Sequence, residues 1–184
     1  GAVIDVTDAT VTTGVVTIQS TAGTGGNITI SEILADTTSG AITLSTSGGA
    51  IEKVVGSTAS YELVANQLLL YAATGIGNVD PLLTNVNDFG AINTGSGNID
   101  IENIAPGANG LDIIQSAPGI GVQNTGGGIY ITEASPITVN NAVTASGDIE
   151  LIANDTAGFD NGDITNNAAI SSYGGNVTLA AGND

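Results

Sequence analysis

Six copies of one short pattern constrain this chain more than any other feature. Glycine, any residue, Ile or Val, an intervening residue and then Ile or Leu recur along the chain. The copies are Gly26-Asn27-Ile28-Thr29-Ile30, Gly40-Ala41-Ile42-Thr43-Leu44, Gly97-Asn98-Ile99-Asp100-Ile101, Gly127-Gly128-Ile129-Tyr130-Ile131, Gly147-Asp148-Ile149-Glu150-Leu151 and Gly175-Asn176-Val177-Thr178-Leu179. Apolar residues two apart share one face of a strand, and β-branched side chains favour that conformation. A second element leads into several copies: Ala91-Ile92-Asn93-Thr94-Gly95-Ser96, Val122-Gln123-Asn124-Thr125-Gly126, Ala142-Val143-Thr144-Ala145-Ser146 and Ala169-Ile170-Ser171-Ser172-Tyr173-Gly174. The unit is therefore a short strand, a Ser/Thr/Gly corner and a second short strand. Small hydroxyl residues bond local backbone at such corners, and glycine admits positive φ there.

Second strands recur at irregular intervals of roughly 20 to 30 residues, the spacing of stacked coils whose corners emit loops of different length. The expected fold is all-β, a right-handed parallel β-helix (β-solenoid) with irregular rungs and Gly-rich corners. It forms one domain over residues 1–184. At ~4.8 Å per coil, about seven or eight coils make a rod on the order of 35 Å long. Ile99 and Ile101 should face inward, with Asp100 outward in a column with Thr29, Thr43, Tyr130, Glu150 and Thr178. The strongest helical rival is the stretch from Tyr61 to Ala73, on propensity alone. An antiparallel β-sandwich shares the short strands and Gly-rich turns, but the corner that recurs before each strand favours the solenoid.

The core residues suit thin layers. Apolar residues are 41% of the chain, yet there are two Phe, four Tyr and no Trp or Met. Eighteen acidic residues face a single base, Lys53, for a net charge of −17. Phosphate binding needs clustered Lys and Arg, so nucleic acid and anionic membrane are excluded as partners. No stretch is long and apolar enough to insert into a bilayer.

With no His, Cys or Arg, the usual triads, dyads and His-ligated zinc sites cannot be built. No catalytic residue is assigned. A β-helix lyase would have only Lys53 as its base. A carboxylate-pair glycosidase would use Asp100 with Glu150 or Glu102, residues that read more simply as solvated charges. Gly75-Ile76-Gly77 and Gly119-Ile120-Gly121 read as turns, not phosphate loops. The best metal candidate is Ca²⁺ on Asp155, Asp160, Asn161 and Asp163, hard oxygen donors at short spacing on a Gly-containing loop. A loop with Asp80 and Asp88 is weaker. Asn27, Asn154 and Asn176 fit glycosylation sequons, and the outward Thr residues hint at an ice-binding face that Asp100, Tyr130 and Glu150 interrupt.

From Leu68-Leu69-Leu70 through Ala72-Ala73-Thr74-Gly75-Ile76-Gly77 and Asp80-Pro81-Leu82, then Thr84, Val86, Ala91, Asn93-Thr94-Gly95-Ser96-Gly97, Ile99, Ile101 and Asn103, the chain resembles the repetitive passengers of filamentous-haemagglutinin-like adhesins. These are large bacterial surface proteins often exported by two-partner secretion. The clearest match covers residues 40 to about 103, and a looser one runs to Asp184. The resemblance implies a right-handed β-helix and an extracellular, cell-surface structural or adhesive rod that acts without enzymatic chemistry. Its partners would be host or neighbouring-cell surface components. Both termini fall inside the repeat, and no amphipathic helix caps either end. The chain is thus expected to be a segment of a longer array, or a fibre subunit stacking end to end on copies of itself. A glycan-active β-helix enzyme is the remaining alternative.

Overall fold

The computed structural model describes residues 3–11, 14–104, 110–154 and 162–182. Each coil carries three short strands. The first contains β1 (Ile4–Val6), β2 (Ala9–Thr10) and β3 (Val15–Ser20), and the second β4 (Ile28–Ile30), β5 (Ile33–Leu34) and β6 (Ala41–Thr46). The third contains β7 (Ile51–Lys53), β8 (Leu63–Val64) and β9 (Gln67–Ala72). In the fourth, Ile76 makes only a bridge and is followed by β10 (Leu82–Asn85) and β11 (Asp88–Asn93). Then come β12 (Ile99–Asn103), β13 (Leu111–Ile113) and β14 (Ile120–Asn124), and β15 (Ile129–Glu133), β16 (Ile137–Val139) and β17 (Ala142–Ala145). The seventh coil has β18 (Ile149–Ala153), β19 (Ile164–Asn166) and β20 (Ile170–Ser172), and β21 (Val177–Ala181) opens an eighth.

Every strand pairing is parallel and joins successive coils, so the chain forms a parallel β-helix. The glycine pattern predicts this stacking. Ile28, Ile51, Ile76, Ile99, Ile129 and Ile149 follow one another in register, and all six are fully buried. A second column runs Leu44, Leu70, Ala91, Val122, Val143 along the strands that precede the Gly-rich corner. Coil length varies from 20 residues (Ile129 to Ile149) to 30 (Ile99 to Ile129), as the spacing predicts.

Two features depart from the sequence expectation. The unit has three strands, because pieces as short as Ile33–Leu34 and Leu63–Val64 form a further stacked face. Thr43 does not share a column with Thr29. It lies in β6, flanked by Thr17 and Leu69, whereas Thr29 lies in β4 between Asp5 and Glu52. The column of Asp100, Tyr130, Glu150 and Thr178 does form. The stretch from Tyr61 to Ala73, the helical rival, forms strands as the solenoid expectation requires. Leu68 and Leu70 stack between Ile42 and Leu44 on one side and Phe89 and Ala91 on the other. Burial of alternate residues on two neighbouring coils overrides local helix propensity.

The corner is held by an internal asparagine ladder. Asn93 Nδ2 donates to Asn124 Oδ1 at 3.0 Å, and Asn124 Nδ2 donates to the carbonyls of Gly97 (2.9 Å) and Gly128 (2.7 Å). Gly126 N donates to Asn124 Oδ1 at 3.2 Å. Coils approach so closely here that a Cβ on Gly126 would sit 1.7 Å from the Gly95 carbonyl oxygen. Asn124→Ala removes these side-chain hydrogen bonds and leaves the buried Asn93 amide without its Asn124 acceptor; it should lower stability by about 2 kcal/mol in urea denaturation, and a loss under about 0.5 kcal/mol would show that water replaces the ladder.

Candidate functional site

The outer face of the first coils carries the column Asp5, Thr29, Glu52. Thr29 Oγ1 donates to Asp5 Oδ1 at 2.8 Å. Two loops rise beside it. The first follows β7 and begins with a tight turn in which Ser57 N donates to the Val54 carbonyl at 3.0 Å. Gly56 takes φ +80°, the third position of a type II turn, where glycine is strongly preferred. The turn lifts Val55 almost fully into solvent, 92% exposed. The far end of this loop is pinned by buried Glu62, whose Oε2 accepts from Leu83 N at 2.8 Å. Burial pushes its carboxyl above the ordinary range.

The second loop arises in the fourth coil. Ile76 aligns with Ile99, and Leu82 with Ile101, so six residues advance the chain where two suffice in the next coil. The four extra residues bulge outward. Glu52 anchors them by accepting from Asn78 N and Val79 N, each at 3.3 Å. Partial burial nevertheless holds the Glu52 carboxyl above its usual range. The only base of the chain closes the arrangement, with Lys53 Nζ 2.6 Å from Asp80 Oδ2.

Between the loops lies a cleft of about 460 Å³, with Asp5, Thr29 and Glu52 along its coil face and Val54, Val55 and Val79 among its walls. A second depression of about 420 Å³ adjoins it and shares Val54 and Gly56. It adds Thr7, Asp8, Ser31 and Glu32. Together they expose five carboxylates, one of them paired to the lysine. The pair offers hydrogen-bond acceptors, negative charge and aliphatic surface.

Below the second loop runs the acidic column. Asp100 is pushed up to about 6, chiefly by burial and then by Asp80, Glu102 and Glu150. Asp100 and Glu102 are two apart in β12 and share its outer face, while Tyr130 separates Asp100 from Glu150 by one coil. Asp80 and Asp88 do not form one loop site: Asp80 pairs with Lys53, whereas Asp88 sits in β11 opposite Asp112. Like charge from Asp112, after burial, raises the Asp88 carboxyl. Of the calcium candidates, Asp155, Asp160 and Asn161 lie outside the described residues. Asp163 is exposed, and its carbonyl accepts from Ile137 N at 2.9 Å. Among the described residues, no group of three or more acidic side chains is placed to hold a metal ion. Gly75-Ile76-Gly77 is a turn that brackets the Ile76 bridge, with both glycines at positive φ.

The last inward-facing positions of β12 and β15 are polar, and with Thr84 of β10 they form a buried column that the sequence expectation did not include. Thr84, Asn103 and Glu133 stack in register and are fully or almost fully buried. Thr84 Oγ1 donates to Asn103 Oδ1 at 2.7 Å, Asn103 Nδ2 donates to Glu133 Oε2, and Ser135 Oγ donates to Glu133 Oε1 at 2.8 Å. Burial pushes Glu133 up to about 7 despite these donors. Among the described residues no helix is long and apolar enough to cross a membrane. Comparison of the chain with family models, with curated proteins and with solved structures finds no match.

Proposed function

We propose that the chain is a structural and adhesive β-solenoid rod of a bacterial cell surface. The observation that carries this reading is the unbroken parallel stack from β1 to β21, a scaffold that spends its core on regular columns and places its variable loops outside. Solenoids of this kind offer long surfaces for partners. The resemblance of residues 40 to 103 to filamentous-haemagglutinin-like passengers supports an extracellular location. An antibody against the purified chain should label intact cells of the source organism. Labelling that appears only after permeabilisation overturns the reading.

A second reading is a fibre subunit that stacks end to end on copies of itself. In the last described coil, Val177 and Leu179 continue the inward columns of Ile149 and Leu151 but are 44% and 45% exposed. Another coil laid on β21 would cover them, from the same polypeptide or from a second copy. Electron microscopy of concentrated protein, with and without Ca²⁺, separates the two. Long uniform fibres identify a polymer subunit, and monomers by small-angle scattering leave the rod as a stalk segment.

A further inference from the structure

Seven large hydrophobic residues are conspicuously exposed among the described residues. Val3 and Val15 belong to the first coil, Tyr173 follows β20 in the seventh, and Val177 and Leu179 lie in β21. The other two, Val55 (92%) and Val79 (78%), stand mid-rod on separate loops and line the same cleft. Isolated exposed apolar residues are ordinary, but these two line one concave surface from different loops. Neither is a by-product of chain folding. Val55 is held out by the turn at Gly56, and Val79 by the hydrogen bonds of its loop to Glu52.

The charge around them is one-sided. The two adjoining depressions expose Asp5, Asp8, Glu32, Glu52 and Asp80 against Lys53 alone, five carboxylates to one ammonium and a net of four negative charges. Lys53 is already neutralised by Asp80. An anionic occupant is therefore repelled. Among the described residues, neither depression is lined by an aromatic ring to stack on a sugar. Two depressions on either side of one turn suit a polymer that presents side chains at intervals. We propose that this bipartite cleft docks a basic, aliphatic stretch of another polypeptide, its cations facing the coil-face carboxylates and its aliphatic side chains against Val55 and Val79.

The inference rests on the adhesive reading and names the chemistry of the partner. It is tested on the purified chain by fluorescence anisotropy, using a short labelled peptide that alternates Lys and Val. Peptides alternating Glu and Val, or Lys and Ser, serve as comparators. The Lys-Val peptide should bind, with both comparators at least about tenfold weaker, and raising salt to about 0.5 M should weaken it. The double variant Val55→Ser, Val79→Ser should lose about tenfold in affinity with an unchanged circular dichroism spectrum, because both side chains are solvent-exposed. Val177→Ser, in the last coil, should bind like the parent. Equal binding of the Lys-Ser peptide, unaltered binding by the double variant, or absence of Lys-Val binding would each overturn the proposal. Binding is read on isolated rods, so its failure is distinct from a failure of surface labelling.

Discussion

Replacing Ile99 by Ala is expected to lower the unfolding free energy by about 4 kcal/mol, the upper part of the range for a fully buried Ile. Ile99 is fully buried and sits mid-column, with Ile76 on one side and Ile129 on the other. Truncation removes contacts to both neighbours at once. The hole cannot close easily, because the backbone spacing between coils is fixed by the ladder hydrogen bonds on either side, such as Ile99 N to the Gly128 carbonyl at 3.0 Å. Each coil of a solenoid is stabilised only by its neighbours, so the loss falls on the two interfaces that Ile99 joins. The variant should therefore weaken coupling between the upper and lower coils as well as total stability. Urea denaturation should show a lower midpoint and a broadened or divided transition. Ile99→Val, which keeps the branched stem, should cost about 1 kcal/mol. Tyr173→Ala, 82% exposed just after β20, should change stability by less than about 0.5 kcal/mol. A loss at Ile99 no larger than that at Tyr173 would contradict a stacked column as the source of stability.

Which features were legible in the sequence depends on what the repeat encodes. Glycine followed by apolar residues two apart specifies a strand with one buried face, and the recurrence of its Gly-rich corner specifies stacking. Hence Ile28, Ile99, Ile129 and Ile149 fall in one column as expected. The same pattern is silent about which side of the coil a copy occupies. The Gly40 to Leu44 copy obeys it and belongs to a different face from the Gly26 to Ile30 copy, so Thr43 and Thr29 part company. Strands of two residues, such as Ala9–Thr10, are too short to show any period.

The site was harder to read. Its walls are set by loop lengths, and nothing in Val54 to Ala59 or Asn78 to Pro81 announces that two separate loops meet. The one available signal was the pairing of a lone lysine with a nearby acid in the next coil, Lys53 with Asp80. The buried polar column did leave a trace. Ile99, Ile101 and Asn103 have one parity, as do Ile129, Ile131 and Glu133. Extending the alternation by one step places Asn103 and Glu133 inside, against the usual preference of those side chains for water.

That inward glutamate makes stability depend on pH in a direction opposite to ordinary acid denaturation. Glu133 is fully buried between Asn103 below and Ala153 above, and the groups that bond its carboxyl, Asn103 and Ser135, are uncharged. No cation offsets the burial, so the carboxyl is raised from 4.5 to about 7. The folded state thus holds this proton more tightly than the unfolded chain does. The stabilisation is complete below pH 4.5, declines as pH rises through the interval to about 7, and is absent above it. The shift corresponds to about 3 kcal/mol. Asp100, raised to about 6, and the elevated Glu52, Glu62 and Asp88 act in the same sense, while Asp36, lowered by the Thr38 and Ser39 amides, opposes them. The effect of Glu133 is therefore isolated by comparison with Glu133→Gln. The amide keeps an acceptor for Asn103 and offers a donor to the Ser135 hydroxyl, without a charge to bury. Near pH 4.5 the two proteins should be about equally stable. Near pH 8 the variant should be more stable, by about 3 kcal/mol, because the parent must either ionise the buried group or bind a proton from dilute solution. Parallel pH–stability curves for parent and variant would show that Glu133 reaches water in the native rod.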